Sequence, residues 1–482
     1  MSGDFECDML IRDALVFDGS GEDPVRADVA VAGDRIVQVG PDLSLSRREA
    51  IDASGYALAP GFIDVHTHDD AAAMARDTIL PKLSQGVTTV VTGNCGISLG
   101  PTPLRRREVP VPPLDLIATA EEYRYESFGD FLDALRLAGP AVNVAPLVGH
   151  TVLRARAVDD LTGPASADEI AAMRDDLDAA LRQGAIGLST GLAYPPAKAT
   201  ATDELLALVT DVANAGRLWT THMRDERTGV VSAVAETIDI ARRSGARTLI
   251  SHHKCCGEAA FGLSRTTLAM IDAARQEIRL DVDVYPYTAS STVLIDSFAR
   301  DSRTVTVSWS DPHPEMTGRD LKDVAADWGV DPSTALERLT PGGAIYHQMD
   351  DDDLERILAW PPSLVGSDGL PRDRRPHPRL WGAFPRVLGR YVRDRSLLTL
   401  SSAVAKMTGQ TAAVLGLSDR GKIKVGAAAD LVLFDPARIR DAANYDTPTA
   451  PAEGILRVYV NGRIAFMPDA DVTTNTGTVL SA

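Results

Sequence analysis

The chain has 482 residues, of which 44% are hydrophobic and 24% are charged, as is usual for a globular protein with a large core. Its formal net charge of −18 argues against nucleic acid or an anionic membrane as a partner. The start, MSGDFECDML, lacks the basic and apolar regions of a signal peptide, and no apolar run reaches the ~18 residues of a membrane span. We therefore expect a cytoplasmic protein. We also expect it to be a monomer or a small homo-oligomer.

Both ends of the chain are predicted to be rich in short β-strands. The N-terminal segments DMLIRDALVFDG, RADVAVAGDRIVQVG and AIDASGYALAPG carry β-branched runs that glycine or aspartate bounds. The C-terminal segments GKIKVGAAADLVLFD and ILRVYVNGRIAF have the same character. We therefore predict one small β-sandwich domain that is built from residues 1–61 and 416–482.

The middle of the chain, residues 62–415, alternates strand-like runs with helical stretches such as SADEIAAMRDDLDAALRQG. Alternation of this kind over eight units predicts an α/β fold, a (β/α)8 barrel of the TIM type. The predicted strands cover residues 62–68, 88–96, 142–150, 185–194, 218–224, 248–254, 280–287 and 363–369.

A long interval separates the seventh and eighth predicted strands. Most connections between a strand and a helix are short, and long ones are commonly functional loops. We therefore predict that residues 288–345 form an insertion over the barrel mouth, which acts as a lid and affects substrate specificity.

Polar side chains stand at the carboxyl ends of the predicted strands. Cys95 lies at the end of the second predicted strand and Asp368 at the end of the eighth. His66 and His68, at the end of the first, are two residues apart, a spacing that places both side chains on one face of a strand. The carboxyl ends of barrel strands meet at one face, where active sites lie. Histidine is scarce, and six of the nine histidines fall at predicted strand ends: His66, His68, His150, His222, His252 and His253.

This mixture of side chains indicates a catalytic zinc site. Zinc accepts imidazole, thiolate and carboxylate ligands, and a structural site would instead be closed by four local ligands. Bound zinc lowers the pKa of its water from about 15.7 to about 7 and polarises a carbonyl group. A carboxylate beside the metal, for which Asp368 in GSDGLP is suited, can carry the proton of the water to a departing amine.

The motifs GFIDVHTHDD and GSDGLP, together with the distant histidines, resemble the amidohydrolase superfamily. TTVVTGNCGIS, THMRDE, ISHHK, VDVYPY and RPHPRLWG are similar to the zinc-dependent D-aminoacylases, the N-acyl-D-amino-acid deacylases, and the similarity covers nearly the whole chain. The resemblance implies hydrolysis of an N-acyl-D-amino acid to a carboxylate and a free D-amino acid. The D configuration rests on the resemblance alone.

The resemblance also implies roles for individual residues. Asp368 matches the general acid/base of the family, and Lys254, Tyr285 and Ser291 match positions that contact the substrate. Arg379 would face the substrate carboxylate, whose two oxygens suit a planar guanidinium. The resemblance implies that a tightly bound zinc is held by Cys95, His222 and His252. It also implies a second, weaker metal position at His66, His68 and Asp368.

The residues leave other roles open. His150 either contacts the transition state or is structural, and Tyr194 in GLAYPPA is a similar case. His253 follows His252 directly, so we expect it to point away from the barrel interior, and His377 lies close enough in sequence to orient the arginine two residues later.

The side chain of the substrate is also left open. Ala193 is small and leaves room for a large apolar group, which favours neutral, mostly hydrophobic N-acyl-D-amino acids. Arg300 is a cation in the predicted insertion, and it either favours N-acyl-D-glutamate or N-acyl-D-aspartate or faces solvent.

Two other classes of protein fit the pattern less well. A cyclic-amide hydrolase of the dihydroorotase or hydantoinase kind uses a carboxylated lysine on the fourth strand, but AIGLSTGLAY contains no lysine. A barrel that has lost its metals and serves only as a binding protein would lack ligands, whereas every candidate ligand is present here.

Overall fold

The computed structural model describes residues 6–102, 111–470, 472 and 475–481. Among these residues, no helix combines the length and the apolar character that crossing a bilayer requires. The predicted compartment and oligomeric state are not tested by the structure and stay predictions.

Strands from the two ends of the chain form one mixed sheet. Its members are β1 (Cys7–Val16), β2 (Val25–Ala32), β3 (Arg35–Gly40), β4 (Arg47–Asp52), β5 (Ala57–Pro60), β18 (Leu431–Phe434), β19 (Ile455–Val460) and β20 (Arg463–Phe466). The order is β20-β19-β18-β5-β1-β2-β3, and β4 pairs with β1. Because β18 is antiparallel to β5, the C-terminal strands are hydrogen-bonded directly to the N-terminal ones.

The middle of the chain supplies a parallel barrel. Its strands are β6 (Phe62–Asp64), β7 (Val87–Thr92), β8 (Asn143–Pro146), β9 (Val148–Gly149), β10 (Gly187–Gly191), β11 (Leu218–His222), β12 (Arg247–Ile250), β13 (Leu280–Val284) and β17 (Ser363–Val365). One sheet runs β6-β7-β8 and the other β9-β10-β11-β12-β13-β17. A parallel bridge between Thr67 and Gly369 closes the ring between its first and last strands. The predicted α/β barrel class is confirmed.

The third predicted strand, 142–150, differs in detail from the observed one. It is interrupted at Leu147 and gives the separate segments β8 and β9, and His150 begins a helix rather than ending a strand. Pro146 stands at the interruption, where its missing N–H cannot continue a ladder of hydrogen bonds.

Helices cover the outside of the barrel and the insertion. Two of the longer barrel helices begin with a capping box, formed by Ser127 with Asp130 and by Ser166 with Glu169. In each pair, the side chain of one residue accepts a hydrogen bond from the backbone N–H of the other. The α-helices are α1 (Arg76–Leu83), α2 (Phe128–Ala138), α3 (His150–Ala157), α4 (Ala167–Gln183), α5 (Pro195–Lys198), α6 (Thr202–Asn214), α7 (Val230–Ser244), α8 (Ser264–Ala274), α9 (Asp296–Arg300), α10 (Leu321–Trp328), α11 (Pro332–Leu339), α12 (Asp351–Ala359), α13 (Arg379–Arg386), α14 (Leu400–Met407) and α15 (Gly409–Leu415), and Val387–Asp394 is a π-helix.

The interval between β13 and β17 folds as a separate antiparallel unit. Its strands are β14 (Ala289–Val293), β15 (Thr304–Ser310) and β16 (Gly342–His347), with β16 in the centre. The unit has an apolar cluster of its own, in which Val307, Leu336 and Tyr346 are buried. This segment includes most of the predicted insertion, and its role as a lid stays a prediction.

Candidate metal and catalytic site

All six predicted metal ligands meet at the carboxyl end of the barrel. Cys95 Sγ lies 3.3 Å from Nε2 of both His66 and His252, and Asp368 Oδ1 lies 3.2 Å from His68 Nε2. The ligand atoms form three overlapping groups, each within 4.8 Å, and every member is buried: His66, His68 and Cys95; Cys95, His222 and His252; and His66, His252 and Asp368.

Most of these side chains lie just beyond the strands rather than in them. Strand β7 ends at Thr92 and strand β17 at Val365, so Cys95 and Asp368 each follow a strand by three residues. The alternation that the sequence suggested for His66 and His68 is therefore not the cause of their convergence, because β6 already ends at Asp64.

Three of the candidate ligands have backbones in the left-handed region. The φ angles are 54° at Cys95, 36° at His252 and 51° at Asp368. Non-glycine residues adopt such angles rarely and at a cost of about 1–3 kcal/mol, and they concentrate at functional sites where the surroundings hold them. The turns at the ends of three strands are therefore shaped to aim these side chains inward.

The electrostatic surroundings favour a thiolate at Cys95. Burial raises the pKa of the thiol, but the neighbouring imidazoles of His66 and His252 outweigh that effect, and the pKa is lowered well below its usual value. Zinc binds the thiolate form of cysteine.

His222 carries the clearest sign of a missing partner. Both of its ring nitrogens are buried, and neither has a hydrogen-bond partner among the described residues. Burial lowers the pKa of His222, so the ring is neutral and keeps a lone pair for a metal. Buried polar atoms are nearly always hydrogen-bonded, so the site fits a zinc ion held by this ring, Cys95 and His252.

Two carboxylates that sequence reasoning missed orient the imidazoles from behind. Asp283 Oδ2 is 3.2 Å from His66 Nδ1, and the other oxygen accepts a hydrogen bond from the backbone N–H of His252 at 2.8 Å. Glu226 Oε1 lies 3.0 Å from His252 Nδ1. A carboxylate on the far nitrogen fixes the tautomer of a ligating histidine. The motifs VDVYPY and THMRDE contain both residues, but only their strand-end position could have indicated them.

Asp368 is placed as the predicted acid/base requires, next to the cluster and to a cation. Its Oδ2 lies 2.7 Å from Arg379 NH1. Burial acts to raise the pKa of Asp368, but Arg379 and then His68 lower it well below its usual value. The carboxylate is therefore ionised at neutral pH, the form that the predicted proton acceptor requires.

The predicted substrate contacts surround the same space. The ring of Tyr285 lies under two cations, 4.6 Å from Arg379 Cζ and 5.7 Å from Lys254 Nζ. Lys254 also donates to Glu226 Oε1 at 2.6 Å, and the backbone oxygen of Ser291 accepts a hydrogen bond from Arg379 at 3.0 Å. The structure thus brings these four predicted residues together, and their contact with substrate stays a prediction.

Tyr194 and His150 lie in different surroundings. The Tyr194 ring stands edge-on to His222, with centroids 5.0 Å apart, beside the cluster. His150 Nε2 instead lies 2.7 Å from Glu204, which also pairs with Arg154 at 2.5 Å. This buried ion pair joins α3 to α6 and supports the structural alternative for His150.

Three other predicted residues have clear contacts. The side chain of Arg300 is 68% exposed and pairs with Asp296 one turn earlier in α9. His253 points away from the cluster and lies 2.8 Å from the Thr267 hydroxyl. His377 Nδ1 accepts the backbone N–H of Arg379 at 3.0 Å, so it does contact the arginine that it was expected to orient.

Comparison with known proteins assigns this arrangement to a family. A family model described as an amidohydrolase family matches residues 49–239 and 219–466. The chain is 48% identical to a D-aminoacylase of Alcaligenes xylosoxydans xylosoxydans over 475 residues, which cover 98% of this chain and 97% of the relative. It is 47% identical to an N-acyl-D-aspartate deacylase of the same organism over 478 residues, 99% of this chain and 95% of that relative.

A solved structure is equally similar. It is an N-acyl-D-glutamate deacylase from Bordetella bronchiseptica in complex with zinc and a phosphonate inhibitor that mimics the tetrahedral intermediate. The TM-score is 0.95 at 46% identity, over 99% of this chain and 100% of the other.

The thiolate makes a first test possible. We expect Cys95→Ala to lose most of its zinc, because the substitution removes the charged ligand from the group completed by His222 and His252. Cys256→Ala is the matched control, since Cys256 is also a buried, free cysteine but burial raises its thiol pKa to about 12. Zinc per protein, measured by elemental analysis after gel filtration, decides; a Cys95→Ala protein with the wild-type zinc content would contradict the assignment.

Proposed function

The chain belongs to the amidohydrolase family, as its motifs predict, and on this premise we propose that it is a zinc-dependent hydrolase that deacylates N-acyl-D-amino acids. The products are a carboxylate and a free D-amino acid. The observation that carries the proposal is the buried cluster of thiolate and imidazoles beside an ionised carboxylate, in which Asp368 lies 3.2 Å from His68.

The metal would be held by Cys95, His222 and His252, and a second, weaker ion by His66, His68 and Asp368. When bound, zinc lowers the pKa of water to about 7 and polarises the amide carbonyl. The protein supplies the fixed directions of these ligands, since Asp283 and Glu226 hold the rings from the outside.

Asp368 would move the proton. Its carboxylate is kept ionised by Arg379, so it accepts a proton from the attacking water as the new C–O bond forms. It then returns that proton to the nitrogen of the leaving amine as the C–N bond breaks. The carboxylate ends the cycle ionised, as it began.

The carboxylate of the substrate would be recognised by cations around Tyr285. Arg379 is fully buried, and its Nε has no hydrogen-bond partner among the described residues, so a donor remains for the substrate. The ammonium of Lys254 lies over the same tyrosine ring. The substrate carboxylate, once beside Tyr285, would meet the positive charges of Arg379 and Lys254. The region has a low dielectric, in which charge-assisted hydrogen bonds are strong.

The substrate side chain would enter a cavity of about 270 Å³ beside the cluster. Glu226 lines its inner part, and Ala193, Ile295 and Phe298 give it an apolar surface. These three apolar side chains favour the neutral, mostly hydrophobic substrates that the sequence suggested. Two of the apolar residues come from the predicted insertion, which is why we propose that residues 288–345 help to select the substrate.

A narrower activity, the deacylation of N-acyl-D-glutamate or N-acyl-D-aspartate, is favoured by the charges around the same cavity. Lys198 and Arg227 also line it, and Arg227 continues into the neighbouring groove that Arg300 lines. A side-chain carboxylate that replaced Asp296 as the partner of Arg300 would be held by these cations.

The proposed activity is tested directly with pairs of enantiomers. We expect the zinc-loaded protein to release free amine from N-acetyl-D-leucine or N-acetyl-D-glutamate and to leave the L enantiomers intact. Cyclic substrates, a 5-substituted hydantoin and dihydrouracil, are included in the same assay. Turnover of the cyclic amides without turnover of any N-acetyl-D-amino acid would replace the proposal by the hydantoinase-like alternative.

Asp368→Asn tests the proton transfer. General acid–base groups contribute about 10²- to 10⁴-fold in rate, so kcat should fall by that order while the zinc on Cys95, His222 and His252 remains. Asp353→Asn is a suitable control because Asp353 is also buried but pairs with Arg356 on an outer helix. Wild-type turnover in Asp368→Asn would assign the proton transfer to another group.

Arg300→Leu tests the narrower activity. A charged hydrogen bond is worth about 1.5–3 kcal/mol, so the ratio of kcat/KM for N-acetyl-D-glutamate to that for N-acetyl-D-leucine should fall at least about tenfold. Arg303→Leu, from the same groove, provides the control. An identical ratio in wild type and Arg300→Leu would make Arg300 a surface residue and leave the activity with neutral substrates.

A further inference from the structure

Lys82 is a buried lysine on the catalytic side of the barrel. It lies on α1, the helix after the first barrel strand, and its exposed fraction is 0%. The ammonium lies 2.8 Å from Asp64 Oδ2, 2.5 Å from Ser367 Oγ and 3.4 Å from Asp69 Oδ2. A buried charge is tolerated only when it is paired and hydrogen-bonded, so the three contacts explain how Lys82 is accommodated.

Each of these partners is next to a residue that the proposed function uses. The side chains reached by Lys82 come from strand β6, from the loop after it and from the loop after β17. Each partner is one or two residues from a candidate ligand in the sequence. The pairs of partner and ligand are Asp64 and His66, Asp69 and His68, and Ser367 and Asp368.

The same group of residues closes the barrel. Asp64 Oδ1 accepts the backbone N–H of Ser367 at 2.8 Å, and Ser367 Oγ accepts that of Gly369 at 3.2 Å. The backbone N–H of Asp368 donates to the carbonyl of His66 at 2.8 Å. Asp368 has a φ of 51°, an unfavourable conformation that its surroundings must hold.

The tight metal position is supported elsewhere. His252 is held by Asp283 and Glu226, and the latter also pairs with Lys254. Among the described residues, the polar side chains that contact Lys82 belong to the first and last barrel strands and the loops that follow them. Asp283 contacts ligands of both positions, His66 and His252, whereas Glu226 and Lys254 support the tight position and Lys82 supports the weaker one.

We propose that Lys82 is a positioning residue for the weaker metal position and for the carboxylate that moves the proton. The inference rests on the proposed function, because that function gives these residues their roles. Loss of the ammonium frees the turn that carries Asp368 and the loop that carries His68, while the group of Cys95, His222 and His252 keeps its own support.

The chain offers a matched control at strand β17, because Lys82 contacts Ser367 after the end of this strand and Lys406 contacts Ser363 at its beginning. Lys406 is also buried, and its ammonium donates to Ser363 Oγ at 2.9 Å and to the carbonyl oxygens of Trp360 and Ser363. These contacts anchor the beginning of β17, away from the catalytic face, where barrels place their stability determinants. Lys406 therefore matches the burial of Lys82 and its hydrogen bond to a serine hydroxyl, but it has neither the acidic partners of Lys82 nor its position.

The experiment compares Ser367→Ala and Lys82→Met with Ser363→Ala and Lys406→Met. Ser367→Ala is the mild variant. It removes the hydroxyl that Lys82 contacts, but the Lys82 ammonium keeps its pairing with Asp64 and Asp69. For each protein, zinc binding is measured by titration of the metal-depleted enzyme, kcat and KM are measured separately, and Tm is recorded.

We expect Ser367→Ala and Lys82→Met to lower either kcat or the affinity for the second zinc equivalent by about 10- to 100-fold. This is the usual effect of replacing residues that hold metal ligands in place. The first equivalent and KM should stay near their wild-type values. Ser363→Ala and Lys406→Met should lower Tm without either change.

Three results would overturn the inference: unchanged second-zinc affinity and kcat in Ser367→Ala, an equal loss of both zinc equivalents, or the same loss of kcat in Ser363→Ala. Failure of the proposed function is a different result, since the wild-type protein would then hydrolyse no N-acyl-D-amino acid. The zinc titration still tests Lys82 in that case, and a wild-type protein with neither activity nor a second zinc equivalent would reject both proposals.

Discussion

The burial of a thiolate and a carboxylate in one cluster is the constraint on which the rest of the site depends. Cys95 and Asp368 are both buried, and the neighbouring cations and imidazoles hold both pKa values well below the usual range. Isolated charges in such a place would cost many kcal/mol. A divalent cation held by Cys95, His222 and His252 would offset the charge of the thiolate and would give one ring nitrogen of His222 the partner that it lacks among the described residues.

Three groups of the cluster, His66, His252 and Asp368, are held from behind by a partner of opposite character. Asp283 faces His66, Glu226 lies between His252 and Lys254, and Arg379 holds Asp368. This outer layer is what lets the strained turns at the strand ends persist, because several fixed contacts determine each backbone conformation. The precise direction of the ligands is therefore a property of the whole barrel end rather than of any one motif.

Much of this could be predicted from the sequence, and the remainder has a physical reason. The apolar strands with polar ends predicted the barrel and brought together the six candidate ligands, since a parallel barrel gathers all strand ends at one face. Asp283 was not predicted, because it stands 217 residues from the histidine that it contacts. Lys82 was missed for another reason: a lysine in a helix is usually solvated, and only the closed barrel shows that it is buried. His150 ended a predicted strand, yet its partner Glu204 lies 54 residues away on a helix.

The residues that we propose to select the substrate lie in a different unit of the fold from the residues that we propose to carry out the reaction. The chain is 48% identical to a D-aminoacylase and 47% identical to an N-acyl-D-aspartate deacylase, so overall identity does not discriminate between these two activities. The metal ligands and Asp368 follow barrel strands, whereas Ile295, Phe298 and Arg300 lie between β14 and β15, in a unit with its own apolar cluster. Because that unit folds around its own core, side chains on its inner edge can change without disturbing the strand ends. Under the proposed function, a few residues of the insertion would therefore set the substrate side chain while the groups at the strand ends stay fixed.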